Sequence, residues 1–410
     1  MDWLTGVYLA YSFIAIYYIS LFLLIYVQNK KSMFEYVKPN KIYSLSIVVP
    51  CYNAEKNITG TIQRLLESNY SGLKKIIVVD DCSKDNSYKI AKEFQKKYPS
   101  KILVVQTPKN TGNAAGAKNY GAKFVDTELI GFTDDDSFPS KDSMEKMVGF
   151  FNDAQVGAVT SKVLVKNRNN FLAGLQAIEY KIIAFTRKLL GFVGGIYVTN
   201  GPLSIYRKNI FDRIHGFDES NLTEDIEITW HIVREGYLVH MSLSTQVYTV
   251  APETFKSWFK QRIRWNVGGL QTINKYKTSF LKCGMLGTFI LPFFTLSWII
   301  AIFGLLIMIY RVVRTIIIRY LSTIYSVKSQ TAILTLQDIN LSVNVLFFFG
   351  LAILIMSVFF TILALLYSKE TNLKRHSIFS ILVYMFIYML LYPVVLITSV
   401  YKYLRGYNKW

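Results

Sequence analysis

Acidic and basic residues gather in a few clusters within the polar middle of the chain. They are Asp80-Asp81 followed by Asp85, Asp134-Asp135-Asp136, Thr223-Glu224-Asp225, and Gln261-Arg262-Ile263-Arg264-Trp265. Carboxylates bind hard divalent cations, and arginines bind phosphate oxygens through two parallel hydrogen bonds. Because the arginine cluster lies shortly before a hydrophobic block, the pattern predicts a site that handles a metal-bound diphosphate at a membrane surface.

The run Asp134-Asp135-Asp136 directly follows an apolar stretch. Three adjacent carboxylates repel one another unless a cation or solvent relieves them. Hard divalent cations take oxygen ligands and bridge to phosphates. A solvated acidic turn is the alternative, but the run favours a site for Mg²⁺ or Mn²⁺ with a diphosphate.

Two further acidic clusters each have a structural and a functional explanation. Asp80 ends an apolar run, where Asp is favoured in turns and helix N-caps, but it could also accept hydrogen bonds from a nucleotide base or ribose. Glu224 and Asp225 precede a helical pattern, where an Asn221/Glu224 capping box and the helix dipole would account for them. The alternative is that Asp225 serves as a general base toward a hydroxyl group.

Residues 255–265 predict an amphipathic helix at the membrane interface. Phe255, Phe259 and Ile263 fall on one helical stripe, away from the basic residues. The two arginines, one residue apart and followed by Trp265, also suit a diphosphate and a sugar face, because guanidinium groups bind phosphate and an indole can stack on a sugar. Membrane anchoring and a role in the site are compatible.

The segment 110–121 is a glycine-containing loop that runs into a helix. It lacks the Gly-Lys-Ser/Thr ending of a P-loop and the spacing of a dinucleotide-binding motif, so it is weak evidence for a phosphate site. On this pattern alone, Lys118 is equally well explained as a surface charge.

The elements that must position these clusters alternate from Leu45 onward. Apolar runs and helical stretches follow in turn over 45–50, 57–67, 76–80, 86–97, 102–107, 112–124 and 129–133. Nearly continuous apolar strands separated by helices predict an α/β fold with a parallel sheet covered on both faces. Ligands of such sheets bind beyond the carboxyl ends of the strands, so we expect Asp80 and Asp134 at the same edge.

Hydrophobic blocks flank this domain. Of the 410 residues 52% are hydrophobic, and the mean hydropathy of +0.28 is too high for an ordinary soluble protein. Residues 3–29 carry no charge and exceed the roughly 20 residues that span a bilayer, as do stretches at about 286–310, 343–367 and 378–400. We therefore predict about four transmembrane helices.

The chain is predicted to be a multi-pass protein of the cell membrane. Its segments are an N-terminal span (1–29), a basic linker (30–44), a polar domain (45–250), an interfacial helix (251–280) and a C-terminal membrane region (281–410). The lysines of the linker follow the first span, so the polar domain should face the cytoplasm. Four simple crossings would place the arginines between 311 and 319 outside, which leaves one late segment re-entrant or interfacial.

Charge and cysteine usage exclude other classes. The formal net charge of +19 sits largely beside the spans and near residues 257–264, not on a helix that could read nucleic acid, so anionic lipid and a phosphorylated substrate explain it better. The three cysteines have no metal-type spacing and the four histidines are scattered. A disulfide framework or a zinc site is not expected.

Taken together, the motifs resemble the membrane-embedded, inverting family 2 glycosyltransferases, which include hyaluronan, chitin, cellulose and poly-N-acetylglucosamine synthases. The matching pieces, in family order, are Pro50-Cys-Tyr-Asn53 with Glu55, the Asp80 motif, Asp134/Asp136, Asn200–Arg207, Thr223-Glu-Asp225 and Gln261–Trp265. They extend over about 45–269 and are jointly specific, although no single one is. The resemblance implies a glycosyltransferase A-type fold.

The resemblance also implies residue roles. The implied donor-binding residues are Pro50, Tyr52, Glu55, Asp80, Asp134 and Arg264, together with Lys118, because Asn113 stands where polymer-forming relatives carry a lysine. Asp136 and Asp134 would hold Mg²⁺ or Mn²⁺. The implied acceptor-binding residues are Gly201, Pro202, Gln261, Arg262 and Trp265. Glu224 and Asp225 would be catalytic, with Asp225 as the base that deprotonates the acceptor hydroxyl.

Two enzymatic hypotheses follow from the resemblance. The first is transfer of a sugar, N-acetylglucosamine by analogy, from a UDP donor to a growing β-linked polysaccharide, with the product fed into the bilayer. The second is a glycolipid synthase that adds one sugar to a membrane lipid, which fits the small number of spans. A non-catalytic scaffold is disfavoured, because idle clustered carboxylates would only cost stability. An accessory membrane subunit or a homo-oligomer stays open.

Overall fold

The computed structural model describes residues 3–330, 345–367 and 377–407. Its strands are β1 (Leu45–Cys51), β2 (Leu73–Asp80), β3 (Ile102–Gln106), β4 (Leu129–Phe132), β5 (Ser137–Pro139), β6 (Val156–Val165), β7 (Ser204–Arg207) and β8 (Leu238–Thr249). They form an eight-stranded sheet in the order β3-β2-β1-β4-β7-β6-β8-β5. The strands β1 to β4 run parallel, while β7 is antiparallel to both β4 and β6. The predicted parallel sheet is therefore the first half of a mixed one.

Helices flank the sheet and continue into a hydrophobic bundle. They are α1 (Trp3–Asn29), α2 (Ile58–Leu66), α3 (Ser87–Lys97), α4 (Ala114–Ala122), α5 (Glu145–Val148), α6 (Phe171–Phe192), α7 (Lys208–Arg213), α8 (Glu224–Arg234), α9 (Phe255–Tyr276), α10 (Leu291–Ser329), α11 (Val345–Tyr367), α12 (Ile378–Phe386) and α13 (Leu391–Leu404). Short 3₁₀ or π turns lie at Gly149–Asn152, Lys277–Ser279, Leu286–Ile290 and Tyr388–Leu390.

The alternation predicted between 45 and 133 is observed, with boundaries displaced by at most three residues. Every residue of β1 is buried, as expected for a strand covered on both faces. Local chemistry sets several helix starts: the side chains of Asn113, Asn170 and Thr254 each accept a hydrogen bond from a backbone N–H of the first turn, which caps α4, α6 and α9.

Four helices within the described residues are long and apolar enough to cross a membrane: Thr5–Asn29, Leu286–Ser329, Phe348–Tyr367 and Ile378–Leu404. The second is far longer than the predicted 286–310, because the helix continues through the basic residues that follow until Gln330 adopts a left-handed conformation. The predicted start of the next span, 343–344, lies outside the described residues. The last span is interrupted by the 3₁₀ turn at Tyr388–Leu390.

Helix α6 joins the sheet to the membrane bundle. It contacts β6 and β8 on one side and α1, α11 and α12 on the other. Phe185 and Leu189 of α6 belong to the same buried apolar cluster as Phe22 of α1 and Leu363 of α11. The polar domain and the hydrophobic helices therefore share one core instead of being joined by a linker alone.

Candidate active site

A cavity of about 620 Å³ opens beyond the carboxyl ends of β1 and β4, where parallel sheets bind their ligands. Twelve of the residues predicted for the site line it: Pro50, Tyr52, Lys118, Asp134, Asp136, Gly201, Pro202, Glu224, Asp225, Gln261, Arg264 and Trp265. Glu55, Asp80 and Arg262 lie outside this lining. The fold therefore brings together residues that are up to about two hundred positions apart.

Asp80 and Glu55 support the wall from behind. Asp80 is fully buried, and its Oδ2 accepts hydrogen bonds from Gln106 Nε2 at 2.8 Å and from the backbone N–H of Ser83 at 3.3 Å. Glu55 Oε2 accepts from the backbone N–H of Asn86 at 3.1 Å. Glu55 thus ties the loop after β1 to the loop after β2, whereas Asp80 ties the end of β2 to β3. Asp80 Oδ1 has no hydrogen-bond partner among the described residues, and contact of both residues with a donor stays a prediction.

The neighbouring carboxylate, Asp81, lines the cavity although no role had been assigned to it. Its Oδ1 accepts from the hydroxyl of Thr107 at 2.7 Å, and its Oδ2 accepts from the hydroxyl of Thr111 at 2.8 Å. These bonds tie the loop after β2 to the loop before α4. In the sequence, the only indication of a role for Asp81 is that it is adjacent to Asp80. The alternation of side chains along a strand does not predict which of the two aspartates faces the cavity.

The Asp134–Asp136 run lies at the centre of the cavity. A Cβ atom on Gly201 would lie 2.4 Å from Asp134 Oδ2, so only glycine lets the acceptor-side loop approach this carboxylate so closely. Asp136 Oδ1 accepts from the hydroxyls of Thr249 and Ser137 at 3.2 and 3.3 Å. Burial and the neighbouring carboxylates raise the pKa of Asp135 to about 7 and that of Asp136 to about 6.

Lys118 is a buried cation that bridges two acidic clusters. Its side chain is 2% exposed, and its Nζ lies 2.8 Å from Glu224 Oε1 and 3.5 Å from Asp134 Oδ1. Burial acts to lower the pKa of Lys118, but the two carboxylates outweigh it and hold the pKa well above its usual range. The surface-charge explanation is wrong, and the amine is already committed to carboxylates, which speaks against the expected contact with a diphosphate.

The first turn of α8 presents Asp225 to the cavity. The predicted capping box does not form: Asn221 Oδ1 accepts from the backbone N–H of Thr223 at 2.9 Å, and Glu224 pairs with Lys118 instead of reaching back. Burial and the charge of Glu224 raise the pKa of Asp225 to about 7. Asp225 is therefore a carboxylate that can accept a proton near neutral pH.

The two arginines of the Gln261–Trp265 motif on α9 lie in different surroundings. Arg264 lines the cavity together with Gln261 and Trp265. Arg262 is 1% exposed and forms an ion pair with Glu179, with Nη2 to Oε2 at 2.7 Å. Its guanidinium lies behind the cavity lining in a buried cluster, so this geometry does not favour the predicted direct contact with the acceptor.

One wall of the cavity was not predicted from the sequence. Tyr180, Ile183, Ala184 and Arg187 of α6 line it. Burial lowers the pKa of Arg187, which donates to the Oδ1 of Asn200, while its Nε has no hydrogen-bond partner among the described residues. The available signal was a helix that is mostly apolar yet carries charged residues on buried positions.

Comparisons with known proteins agree with this geometry. The family described as glycosyltransferase like family 2 matches residues 40–268. The chain is 27% identical over 255 residues to a poly-β-1,6-N-acetyl-D-glucosamine synthase of Staphylococcus epidermidis, which covers 62% of this chain and 61% of the relative. It is 26% identical over 259 residues to the synthase of the same name from Staphylococcus aureus strain COL. The chain thus matches about 61% of the length of the first of these relatives.

A solved structure shares the whole architecture. The mannosyltransferase PcManGT from Pyrobaculum calidifontis, in complex with GDP-mannose and Mn²⁺, superposes with a TM-score of 0.59 over 97% of this chain and 99% of that one. The two sequences are 16% identical, so the likeness is one of fold.

Proposed function

Because the chain belongs to glycosyltransferase family 2, we propose that it transfers N-acetylglucosamine from UDP-N-acetylglucosamine to a growing β-linked polysaccharide at the membrane. The observation that carries this proposal is the single cavity that joins Asp134 and Asp136, Asp225, and Arg264 with Trp265. A carboxylate pair suited to a divalent cation, a proton acceptor, and a cation beside an indole would together serve metal-dependent, inverting sugar transfer.

In the proposed reaction, Asp225 takes the proton of the acceptor hydroxyl as the oxygen attacks the anomeric carbon. The bond between that carbon and the diphosphate oxygen breaks, and UDP departs with the electron pair. Arg264 lies where a guanidinium can hold the departing diphosphate. Lys118 keeps Glu224 ionised beside Asp225, because the buried ion pair lowers the pKa of Glu224 despite its burial.

The donor set fits a divalent cation. Across residues 3–330, 345–367 and 377–407, no group of three or more histidine, cysteine, aspartate or glutamate side chains is arranged to hold a metal by itself. Mg²⁺ and Mn²⁺ in phosphate-transferring sites commonly need only one or two carboxylates, since the substrate phosphates complete the shell. Asp134 and Asp136 would supply those carboxylates. A bound cation would neutralise charge on the diphosphate leaving group.

Donor and acceptor occupy different parts of the cavity lining in this proposal. Pro50, Tyr52 and Asp81 form the donor wall at the sheet edge, where a uridine would lie. Trp265, Gln261 and the Gly201-Pro202 turn form the acceptor wall, where the acceptor sugar would stack on the indole. The choice of N-acetylglucosamine and of a polymeric product is supported by the names of the matched staphylococcal synthases.

The membrane helices suit delivery of the product to the bilayer. We infer a cytoplasmic active site from the lysines that follow α1, since positive residues stay on the cytoplasmic side. Transfer of one sugar to a lipid is the competing outcome, and the named relatives favour the polymer. The same reconstitution experiment tests whether an accessory subunit or a second copy of the chain takes part.

The test is reconstitution of the full-length protein in nanodiscs with Mn²⁺ and a panel of radiolabelled UDP-sugars. UDP-N-acetylglucosamine should be consumed, and a ladder of products that grows with time should appear on size separation. A single labelled band that partitions with lipid would establish the glycolipid alternative. Release of UDP from no donor in the panel would refute sugar transfer.

A further inference from the structure

A buried polar cluster lies behind the acceptor wall of the cavity, between α6, α9 and the C-terminal membrane helices. Its centre is the carboxylate of Glu179, which is 3% exposed. Oε2 accepts from Arg262 Nη2 at 2.7 Å and from the hydroxyl of Tyr388 at 2.6 Å, and Oε1 accepts from the hydroxyl of Tyr392. Trp258 Nε1 donates to Tyr388 at 2.6 Å. We call this set the Glu179 cluster.

Each of the three guanidinium nitrogens of Arg262 donates a hydrogen bond. Besides Glu179, its Nε donates to the hydroxyl of Tyr392 at 3.1 Å, and its Nη1 donates to Gln261 Oε1 at 2.6 Å. Its guanidinium carbon also lies 4.0 Å from the ring centroid of Trp265, well within the range of a cation–π contact. Arg262 therefore touches two residues of the acceptor wall, Gln261 and Trp265, while its own position is set by two partners outside that wall, Glu179 and Tyr392.

The fixed geometry has a physical cause. A guanidinium is planar and its donors point in set directions, so an arginine whose three nitrogens each donate to a different residue is held in one orientation. Burying the pair excludes water that could substitute for any partner. Burial acts to lower the pKa of Arg262, but Glu179 raises it well above its usual range, so the arginine stays charged.

We propose that Arg262 and Glu179 are positioning residues through which the membrane helices set the acceptor site. Tyr388 and Tyr392 of the last span fix Glu179, Glu179 fixes Arg262, and the guanidinium fixes the plane of the Trp265 indole and the amide of Gln261. The inference rests on the proposed function in one respect, the role of Trp265 toward an acceptor sugar. It assigns to the C-terminal membrane segment a task beyond anchoring.

The proposal separates the two substrates. The predicted donor-binding residues lie mainly on the loops after β1, β2 and β4, and Arg264 is the one that lies on α9 beside the Glu179 cluster. Disturbing the cluster should therefore weaken the use of acceptor far more than the binding of UDP. A purely structural role would reduce the amount of folded enzyme, and with it both measurements equally.

The chain offers a matched control that contacts the same helix. Near the C-terminal end of α9, Lys275 Nζ and the hydroxyl of Tyr276 each donate at 2.7 Å to the buried Glu227 of α8. Like Glu179, this carboxylate is held by a cation and by a tyrosine hydroxyl, but it does not line the cavity. Glu227→Gln removes a comparable buried charge that contacts α9, without touching Trp265.

The experiment compares Glu179→Gln, Arg262→Lys and Tyr392→Phe with Glu227→Gln, all in full-length protein in nanodiscs. Kinetics with β-1,6-linked N-acetylglucosamine oligomers should show kcat/KM for the oligomer reduced about 10- to 100-fold in the first three, because small misplacements of a binding group cost this much. Affinity for UDP, from calorimetry, should stay within about twofold. Glu227→Gln should alter neither quantity by more than about twofold.

Hydrogen exchange supplies a measurement that needs no activity. In Glu179→Gln, amides of α9 around residues 258–268 should exchange faster than in the parent, while Glu227→Gln should affect only the later part of the helix. Equal losses of oligomer use and UDP affinity, or an unchanged exchange rate at 258–268, would overturn the proposal. If the parent transfers no sugar but the exchange pattern holds, the positioning link stands and the proposed function fails.

Discussion

The donor wall and the acceptor wall of the cavity are built in different ways. The donor wall is closed by bonds between nearby loops, such as that from Thr111 to Asp81, 30 residues apart. The acceptor wall depends on α9, whose Arg262 is held by Glu179, 83 residues away, and by Tyr392, 130 residues away in the last span. The donor wall is thus fixed by the sheet and its loops. The acceptor wall is fixed by the packing of the sheet against the membrane helices.

This difference has a consequence for function. A wall fixed by its own loops should bind its ligand whatever happens in the membrane region. A wall fixed by a membrane helix responds to whatever displaces that helix. Changes to the site should therefore divide into those that affect the donor, those that affect chemistry and those that affect the acceptor.

Removal of the divalent cation should have the largest effect, and it should impair the donor side of the cavity. Chelation by EDTA is expected to lower UDP release about 10³- to 10⁴-fold, because a metal contributes several kcal/mol of charge stabilisation in the transition state. Mn²⁺ or Mg²⁺ should restore the rate. Asp136→Asn should lose transfer and metal-dependent UDP binding together, whereas the exposed Asp212→Asn should lose neither. Full turnover in EDTA would disprove the metal assignment.

Asp225→Asn should separate chemistry from donor binding. Loss of a general base typically costs about 10²- to 10⁴-fold in rate, while the contacts to UDP stay in place. Calorimetry should give a UDP affinity within a few-fold of the parent. Normal turnover in this variant would mean that the base lies elsewhere and that Asp225 only compensates the helix dipole of α8.

Trp265→Leu should damage the acceptor wall alone. Loss of the indole face is expected to reduce transfer to an added oligomer about fivefold, since aromatic stacking contributes on the order of 1 kcal/mol. UDP binding and membrane insertion should persist. Trp265→Phe keeps an aromatic face and should retain more activity than the leucine variant. Small, equal losses of elongation and UDP binding in both variants would place the acceptor elsewhere.

The pH dependence of kcat should follow the base on the acceptor side. Because the pKa of Asp225 is raised to about 7, the carboxyl is protonated at lower pH and cannot accept a proton. The rate should therefore fall about tenfold per unit as the pH decreases below about 7 and level off above it. The pKa values of Asp135 and Asp136 lie in or near the same range. The same profile in Asp135→Asn would therefore exclude Asp135, and loss of the pH dependence from the residual activity of Asp225→Asn would assign the profile to Asp225. A flat profile from pH 5.5 to 8 would exclude Asp225 as the base.

Much of the fold could be predicted, because its first half follows from local pattern. Buried parallel strands such as β1 are nearly continuous apolar runs, and helices such as α4 begin at residues whose side chains can cap them. The second half was less accessible. The antiparallel strand β7 inserts between β4 and β6, and no turn signal near residue 204 indicates which strands it will join.

The candidate site could be predicted in composition but not in arrangement. Residues at strand ends, such as Asp134, reach the cavity because the sheet aligns the ends of its strands. Asp80 and Asp81 illustrate the limit of prediction from sequence. Either side chain could have faced the cavity, and only the contacts between loops determine which one does. Lys118 is another case, because nothing near it in the sequence indicates that it will form a buried ion pair with Glu224, 106 residues away.

The amino-acid sequence by itself determined the order of strands and helices, the hydrophobic segments and the residue types available for chemistry. Those properties depend on neighbours within a turn or a strand, so local spacing records them. Only the tertiary structure decided that Arg264 faces the cavity while Arg262 turns to Glu179 and the last span. The two arginines have the same chemistry and nearly the same position, and the difference between them is set by partners that the chain brings together only when it folds.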